Sequence, residues 1–211
     1  MVRSDIKEFI ETIPKNITVV AATKYVDVDD MEVLLSNGIN NFGENRTDSF
    51  VRKYNLLKNK GAIWHFIGHL QRNKANDVIN KIDYLHSLDS LKLAEIIETK
   101  REKPLKCFVE VSINLEETKN GVPFYEVEEF IKSLLKYQKI EIVGLMMMAI
   151  KESDDLSLQK QFAKLKILRD ELEQKLNIKL PYLSMGMSDD YKEAIKEGAT
   201  HIRLGRILYK M

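Results

Sequence analysis

One lysine in this chain stands where a side-chain amine can do covalent chemistry. Lys24 ends the apolar run Ile17–Thr23, and the residues from Asp27 onward have the pattern of a helix start. If such a lysine loses its water, its pKa falls, and its neutral amine can attack a carbonyl carbon to form a Schiff base. The alternative is a lysine that extends its charged end into water. Position alone favours this alternative.

A second group of residues has the order of an anion-binding loop. The segment Ser184–Ser188 runs into Asp189–Glu197, which has the pattern of a helix. Gly186 lets the backbone approach a ligand, and the free N–H groups of a helix start attract anions. However, Asp189 and Asp190 would repel a phosphate unless they point outward. The alternative is an ordinary helix capped by Ser188, and the loop alone leaves the two interpretations even.

Two further polar residues follow apolar runs. Arg203 is predicted to be the last inward-facing residue of its strand, where a buried guanidinium needs an acceptor or a ligand. A structural ion pair is its default alternative. Asn45 can offer a neutral hydrogen-bonding group to a ligand oxygen. Its safer interpretation is a cap for the helix predicted at 47–58.

The residues above must be positioned by eight short apolar runs, which alternate with stretches of helical periodicity. The runs are Ile17–Thr23, Ile39–Gly43, Ile63–Gly68, Tyr84–Leu88, Lys106–Ile113, Ile140–Met148, Leu180–Met185 and His201–Gly205. Strand–helix alternation predicts a parallel sheet. Eight repeats within 211 residues predict one α/β domain over residues 1–211, a (β/α)8 barrel. An open, doubly wound sheet is the alternative that periodicity does not exclude.

In a barrel of this kind the functional residues lie at one face, which is formed by the carboxyl ends of the strands. The loops after the seventh and eighth strands are the usual phosphate site, and here they contain Gly186 and Gly205. An extra helix is predicted at Ser4–Ile13. Gly38 and Gly198 are predicted to terminate helices in the left-handed conformation.

Composition excludes several other classes of function. A net charge of +1 gives no basic field for nucleic acid or an anionic membrane. No apolar stretch approaches the length of a membrane span, and the first residues contain no apolar signal region. The single cysteine, Cys107, excludes an intrachain disulfide and favours a cytoplasmic location. His65 and His69 are four residues apart, but they straddle the end of a predicted strand, so ligation from one helix face does not apply and we expect no metal site.

Together, these segments resemble the pyridoxal-phosphate homeostasis protein family, whose members are barrels related to the N-terminal domain of alanine racemase. The matching segments are Val19–Lys24, Asn41–Arg46, Trp64–Lys74, His86–Ser90, Gly144–Met148, Ser184–Tyr191 and Arg203–Gly205. They cover nearly the whole chain in the expected order. The segments at 64–74 and 184–188 are long and specific, so chance is a poor explanation.

The resemblance implies that the cofactor is pyridoxal 5'-phosphate, held by Lys24 as an internal aldimine. It implies that Ser188, with the backbone near Gly186 and Gly205, holds the phosphate. Asn45 and Ser184 complete the predicted set of cofactor-binding residues. Arg203 would face the pyridine nitrogen and keep it unprotonated, because a second positive charge there is costly. A ring in that state is a weaker electron sink, which favours cofactor holding or racemisation over transamination.

The chain departs from the family pattern at three places. Arg206 stands where the family usually has a small hydroxyl residue, so a hydroxyl contact is lost, although the arginine side chain can still reach the phosphate. Ser112 stands where the family often has asparagine. The chain ends at Met211, shortly after the last predicted strand, so closure of the barrel by a last helix either falls to the extra N-terminal helix or is incomplete.

Three functions compete at this stage. The first is a cofactor carrier that buffers pyridoxal phosphate and delivers it to apo-enzymes, without robust catalysis of its own. The second is an amino-acid racemase, which needs a second acid/base group opposite Lys24. No tyrosine falls at a clear strand end except Tyr25, so the carrier is favoured. The third, an interaction module that has lost the cofactor, conflicts with the intact Lys24 and loop 184–188. A monomer is expected, since no dimerising domain is evident.

Overall fold

Parallel strands close into a barrel in the computed structural model, which describes residues 1–113 and 120–209. The strands are β1 Thr18–Ala22, β2 Asn41–Glu44, β3 Ile63–Phe66, β4 Tyr84–Leu88, β5 Leu105–Ser112, β6 Val122–Pro123, β7 Ile140–Met146, β8 Tyr182–Ser184 and β9 His201–Leu204. Their order is β4-β3-β2-β1-β9-β8-β7-β5, and β4 pairs with β5 through Leu85 and Cys107. This last pairing closes the sheet, so the (β/α)8 barrel is confirmed and the open sheet is wrong. The short β6 is an addition beside β5 that the periodicity did not predict.

Helices cover the outside of the barrel. They are α1 Ile6–Glu11, α2 Val28–Ser36, α3 Thr47–Leu57, α4 Ala75–Val78, α5 Leu91–Lys100, α6 Val127–Leu134, α7 Asp155–Leu176 and α8 Tyr191–Lys196. In α7 the apolar residues recur at helical spacing from Leu158 to Leu172, and this buried stripe faces the sheet. The Asp154 side chain caps α7 by accepting a hydrogen bond of 2.7 Å from the Ser157 N–H. No helix in the described ranges is long and apolar enough to cross a lipid bilayer.

Two helix ends follow the sequence prediction closely. Gly38 (φ +81°) follows α2 and Gly198 (φ +93°) follows α8, both in the left-handed region that favours glycine. Asp27 holds the N-cap position of α2, although its side chain makes no capping bond and instead pairs with Arg52 at 2.9 Å. The local signals therefore predicted where both helices end and where α2 begins, but not the partner of Asp27.

The first residues of the chain pack where the last residues leave the barrel. Phe9 of α1 makes an edge-on contact with Tyr191, with ring centroids 6.3 Å apart. Val2 forms an antiparallel bridge with Tyr209, and the Arg3 N–H donates to the Leu208 carbonyl at 3.1 Å. The extra helix is shorter than predicted, but it lies beside the end of the barrel wall as expected.

Aromatic and histidine rings occupy much of the interior of the barrel, together with Val143 and Met146, whereas branched aliphatic side chains usually dominate such barrels. His65 of β3 and His201 of β9 belong to strands that are not neighbours, yet their ring centroids are 6.3 Å apart. Contacts of this kind are possible only across the interior. The rings that contact one another across the interior are His65, Tyr84, His86, Phe108, Tyr182 and His201. Hydropathy patterns did not predict this polar, aromatic core.

Candidate functional site

The sequence-predicted site residues come together at the carboxyl ends of adjacent strands, in the order β2, β1, β9, β8. Asn45 follows β2, Lys24 follows β1, and the segments 203–206 and 184–188 belong to the ends of β9 and β8. The register supports this grouping, because β1 pairs Ala22 with Gly43 on one side and Ala21 with Leu204 on the other. Lys24 therefore follows β1 at a point between the loop that contains Asn45 and the two loops that contain Gly186 and Gly205.

Lys24 itself is exposed to solvent. Its Nζ lies 4.7 Å from the ring centroid of Tyr25, which is 83% exposed. Strand-end position therefore does not desolvate this lysine, and the structure agrees with the alternative that position alone favoured, a charged end in water. The amine is instead free to meet a ligand that enters the mouth of the barrel from solvent.

The residue before Lys24 is anchored by a buried charge network. Thr23 is fully buried, and its Oγ1 donates to Glu44 Oε1 at 2.6 Å. Lys53 Nζ donates to the same Oε1 at 2.6 Å and to the Thr23 carbonyl oxygen at 2.5 Å. Because both the side chain and the carbonyl of Thr23 are held, the backbone that leads into Lys24 has a defined path.

Sequence analysis missed Lys53 and Glu44. One signal was present, since Lys53 lies on the same face of α3 as Phe50 and Leu57, three and four residues away, which are fully buried. A lysine within an apolar stripe needs a buried partner. The identity of that partner was not readable from the pattern.

Asn45 does not cap the following helix, so that interpretation is wrong. The helix α3 begins at Thr47 with Arg46 at its N-cap. Asn45 Oδ1 is buried and has no hydrogen-bond partner in the part of the chain that the structure describes. A buried acceptor left unpaired costs about 1–3 kcal/mol, so a ligand that donates to it would be favoured. The loop after β3 packs tightly here, because a Cβ at Gly68 would lie 2.6 Å from Asn45 Cβ.

Ser188 joins two loops instead of capping a helix, which corrects the alternative raised by the sequence. Its Oγ accepts from the Gly205 N–H at 3.1 Å and lies 3.5 Å from the Ile207 nitrogen. The helix α8 begins only at Tyr191, with Asp190 at its N-cap position. The helix predicted from 189 is therefore shorter, because the residues after Ser188 form a turn in which Asp190 Oδ1 accepts from the Met187 N–H at 2.5 Å.

Gly186 occupies a position that only glycine fits. Its φ is +92°, and an added Cβ would lie 2.6 Å from Ala194 Cβ in α8. The glycine therefore serves packing between the loop and the helix. Close approach of a ligand to its backbone remains a prediction.

Asp189 and Asp190, which could repel a phosphate, have different surroundings in the structure. Asp189 is 80% exposed and pairs with Arg206. Asp190 is buried and engaged with the backbone of its own turn. The Asp189 carboxylate thus points outward beside a cation, which removes much of its repulsion at the loop. Arg206 is itself more than half exposed and follows Gly205 directly.

Arg203 is buried and faces inward, as predicted. Its Nη1 donates to the carbonyl oxygen of Ser184 at 2.9 Å and to Ser184 Oγ at 2.6 Å. Its Nη2 donates to the Met147 carbonyl oxygen at 2.8 Å. Burial lowers the pKa of Arg203 to about 10, against the opposing influence of Glu110 and Asp190. Its described hydrogen-bond acceptors are neutral, so the default expectation of a structural ion pair is not what holds it.

Ser184 is fully buried within the barrel. Its hydroxyl lies 2.8 Å from His86 Nδ1 as well as 2.6 Å from Arg203. The structure therefore places Ser184 behind Arg203, and a direct contact with a phosphate remains a prediction.

Glu110 is a titratable group that the sequence analysis did not identify. It lies on β5, is only 3% exposed, and burial raises its pKa to about 7. Asp89 adds to this rise, whereas Arg203 opposes it. A carboxyl group with such a pKa can exchange a proton near neutral pH.

A family model described as alanine racemase, N-terminal domain, matches residues 3–211. A pyridoxal phosphate homeostasis protein of Aquifex aeolicus (strain VF5) is 37% identical over 191 residues, which cover 89% of this chain and 84% of that protein. A protein of the same name from Synechocystis sp. (strain ATCC 27184 / PCC 6803 / Kazusa) is 36% identical over 206 residues, covering 96% and 94%.

Solved structures agree with this assignment. PipY of Synechococcus elongatus PCC7942, with PLP bound, is 29% identical with a TM-score of 0.90, and the match covers 97% of this chain and 100% of that one. An alanine racemase of Clostridium difficile 630 is 18% identical with a TM-score of 0.77 over 100% of this chain and 58% of that one, a likeness of fold alone. The chain therefore belongs to the alanine racemase N-terminal domain family and, within it, to the pyridoxal phosphate homeostasis proteins.

Proposed function

We propose that this protein binds pyridoxal 5'-phosphate at the carboxyl ends of β1, β2, β8 and β9 and serves to buffer and deliver it. The observation that carries the proposal is the position of Lys24, which emerges beside the two loops that the hydrogen bond between Ser188 and Gly205 joins. An exposed amine and an anion-compatible loop on neighbouring strands match the two ends of this cofactor. The homeostasis relatives and the PLP-bound PipY support the same ligand.

The residues present fit the cofactor on structural grounds. Asn45 Oδ1 is a buried acceptor that lacks a partner among the described residues, and it lies at the mouth of the barrel where a hydroxyl of the ligand would donate to it. Arg203 has five N–H bonds, of which three donate to described acceptors. The remaining two would be available to a bound ligand.

Each residue then has a distinct task. The cofactor supplies an aldehyde that bonds covalently to an amine, and Lys24 is the amine that we assign to it. Ser188, Arg206 and the backbone near Gly186 and Gly205 hold the phosphate. Arg203 would offer a positive charge to the ring nitrogen of the cofactor, because it retains its proton at neutral pH even when buried.

Carriage is preferred to robust catalysis within this proposal. An exposed Lys24 gives open access, which suits exchange of the cofactor with apo-enzymes better than a closed reaction chamber. The alternative is an amino-acid racemase, and the buried Glu110 is the observation that favours it. We also propose that the protein is a cytoplasmic monomer; the free thiol of Cys107 supports the cytoplasmic location, since free thiols persist in a reducing compartment.

Absorbance spectroscopy tests cofactor binding directly. Wild-type protein mixed with pyridoxal phosphate is expected to gain a visible band that persists after gel filtration. Lys24→Ala is expected to lose this band, whereas Lys60→Ala, which removes another exposed lysine, keeps it. A wild type that stays colourless after reconstitution contradicts the proposal.

Two assays separate carriage from catalysis. Loaded protein mixed with a pyridoxal-phosphate-dependent apo-enzyme is expected to restore that enzyme's activity faster than loaded protein confined behind a dialysis membrane. Amino-acid racemisation that disappears in both Lys24→Ala and Glu110→Gln would instead establish the racemase. Light scattering of the loaded protein measures whether it is a monomer.

A further inference from the structure

A continuous row of hydrogen bonds crosses the interior of the barrel from Arg203 to Asn41. Arg203 Nη1 lies 2.6 Å from Ser184 Oγ, and that oxygen lies 2.8 Å from His86 Nδ1. His86 Nε2 is 2.9 Å from His65 Nδ1, and His65 Nε2 is 2.9 Å from Asn41 Oδ1. The three inner members are fully buried, so water does not compete for these bonds.

The chemistry of the two ends determines the direction of every bond. Asn41 Oδ1 only accepts, so His65 must carry its proton on Nε2. If both rings are neutral, His65 Nδ1 accepts from His86 Nε2–H, and His86 Nδ1 accepts from the Ser184 hydroxyl. Ser184 Oγ then presents its lone pairs to Arg203. Each bond is satisfied in one arrangement only, and all donors point from Arg203 toward Asn41.

The charge states required by this arrangement agree with the surroundings. Burial holds the pKa of His65 and of His86 well below the usual range, and the neighbouring rings and Arg203 lower the pKa of His86 further. Both histidines are therefore neutral at pH 7. Transport of protons along the row is excluded, because neither a guanidinium nor an amide oxygen exchanges protons readily at neutral pH.

We propose that His86 and His65 are positioning residues, which act through Ser184 to hold the guanidinium of Arg203 in a fixed orientation at the mouth of the barrel. This inference rests on the proposed function, since Arg203 matters only if a ligand ring meets it. Within that function, the row makes the affinity for pyridoxal phosphate depend on groups deep in the barrel that never touch the cofactor.

Nitrogen-15 NMR of the protein without cofactor tests the row independently of ligand binding. At pH 7, His65 and His86 are both expected to be neutral, with the proton on Nε2 and a bare Nδ1. A charged ring, or a proton on Nδ1 of either residue, overturns the proposal. This outcome is distinct from failure of the proposed function, which is a wild type that does not bind pyridoxal phosphate.

A matched pair of variants tests the consequence for binding. His201 is a buried ring in the same interior, but its described hydrogen-bond partner is Thr200 Oγ1, 2.9 Å away, and it stands outside the row. His86→Phe is expected to raise the dissociation constant for pyridoxal phosphate by about tenfold, whereas His201→Phe changes it by less than about threefold. Equal effects of the two variants would mean that the rings only fill the core, and would overturn the proposal.

Two further variants keep the proposal testable if His86→Phe does not fold. Ser184→Ala removes the link itself, and it is expected to weaken binding by a similar factor. His86→Asn keeps an acceptor near the former Nδ1 position, and it is expected to restore most of the affinity. The double variant His86→Asn/Ser184→Ala should then bind no better than Ser184→Ala; if it does, Ser184 is not the intermediary.

Discussion

Lys53 Nζ lies 2.6 Å from Glu44 Oε1 at a place where both side chains are withdrawn from solvent. Two buried charges are costly to desolvate, and the pair is retained only because each satisfies the other and both bind Thr23. The second carboxylate oxygen, Glu44 Oε2, is buried without a partner among the described residues. The network thus sits directly beneath the backbone that carries Lys24.

Removal of the Lys53 charge is expected to destabilise the protein strongly. Lys53→Met leaves the Glu44 carboxylate buried and uncompensated, which typically costs about 3–5 kcal/mol. Urea denaturation at pH 7 measures the loss. Lys60→Met breaks an exposed pair with Glu32 of 3.0 Å and should cost less than about 1 kcal/mol. The double variant Lys53→Met/Glu44→Gln should recover part of the loss; no recovery would contradict an electrostatic cause.

The buried histidines are expected to make the fold sensitive to acid. Burial lowers the pKa of His201 to about 4, and those of His65 and His86 fall well below 6.5. The unfolded chain therefore binds more protons than the folded one below pH 6.5, so the free energy of unfolding decreases as the pH falls from 6.5 toward 4. For His201 alone the loss is about 3 kcal/mol. Urea midpoints measured from pH 7 to pH 4 check the slope, which should become shallower in His201→Phe.

Glu110 is expected to act in the opposite direction. Its pKa of about 7 lies above its ordinary value, so the stability it contributes is present below pH 4.5 and is lost as the pH rises through 7. Glu110→Gln removes this penalty and should raise the free energy of unfolding at pH 8 by up to about 3 kcal/mol, with little gain at pH 4.5. A similar gain at both pH values would show that the effect is packing and not ionisation.

An alanine substitution at Gly186 is expected to destabilise the protein more than the same substitution at Gly198, although the two glycines have the same backbone geometry. Gly186 (φ +92°) and Gly198 (φ +93°) share a left-handed backbone, but a Cβ at Gly198 would lie 3.6 Å from its nearest neighbour, Lys166 Cδ. Gly198→Ala should therefore cost about 1 kcal/mol, which is the backbone term. Gly186→Ala adds a clash with Ala194 worth about 1–3 kcal/mol. Thermal unfolding of both variants measures the difference, and equal losses would contradict the clash.

Sequence reasoning worked best where local pattern and backbone rules suffice. Alternation of apolar runs predicted the parallel barrel, and glycine after a periodic stretch predicted the ends of α2 and α8 at Gly38 and Gly198. It failed where a polar side chain forms a hydrogen bond with a residue that is distant in the sequence. Ser188 was weighed as a helix cap, but its hydroxyl accepts from the Gly205 N–H of the next strand's loop.

Burial was a second source of error. Lys24 was singled out as an amine that could lose its water, yet its side chain is exposed, as its position alone suggested. Lys53 is a charged residue on an outer helix, yet it is 1% exposed, because its side chain reaches the buried carboxylate of Glu44. Strand-end position says which face of the barrel a residue joins, but solvent exposure depends on what the adjoining loops cover.

The sequence by itself predicted the alternation of strands and helices, the face on which the site lies, and the family, since all three depend on short-range periodicity and on motifs in a given order. Closure of the sheet into a barrel, which periodicity did not separate from an open sheet, was decided by the pairing of β4 with β5. Only the tertiary structure decided which polar groups meet. His86 and Ser184 are 98 residues apart in the chain, yet their hydrogen bond links the barrel interior to Arg203. Such contacts follow from closure of the sheet, which brings non-neighbouring strands face to face across an interior that no local pattern describes.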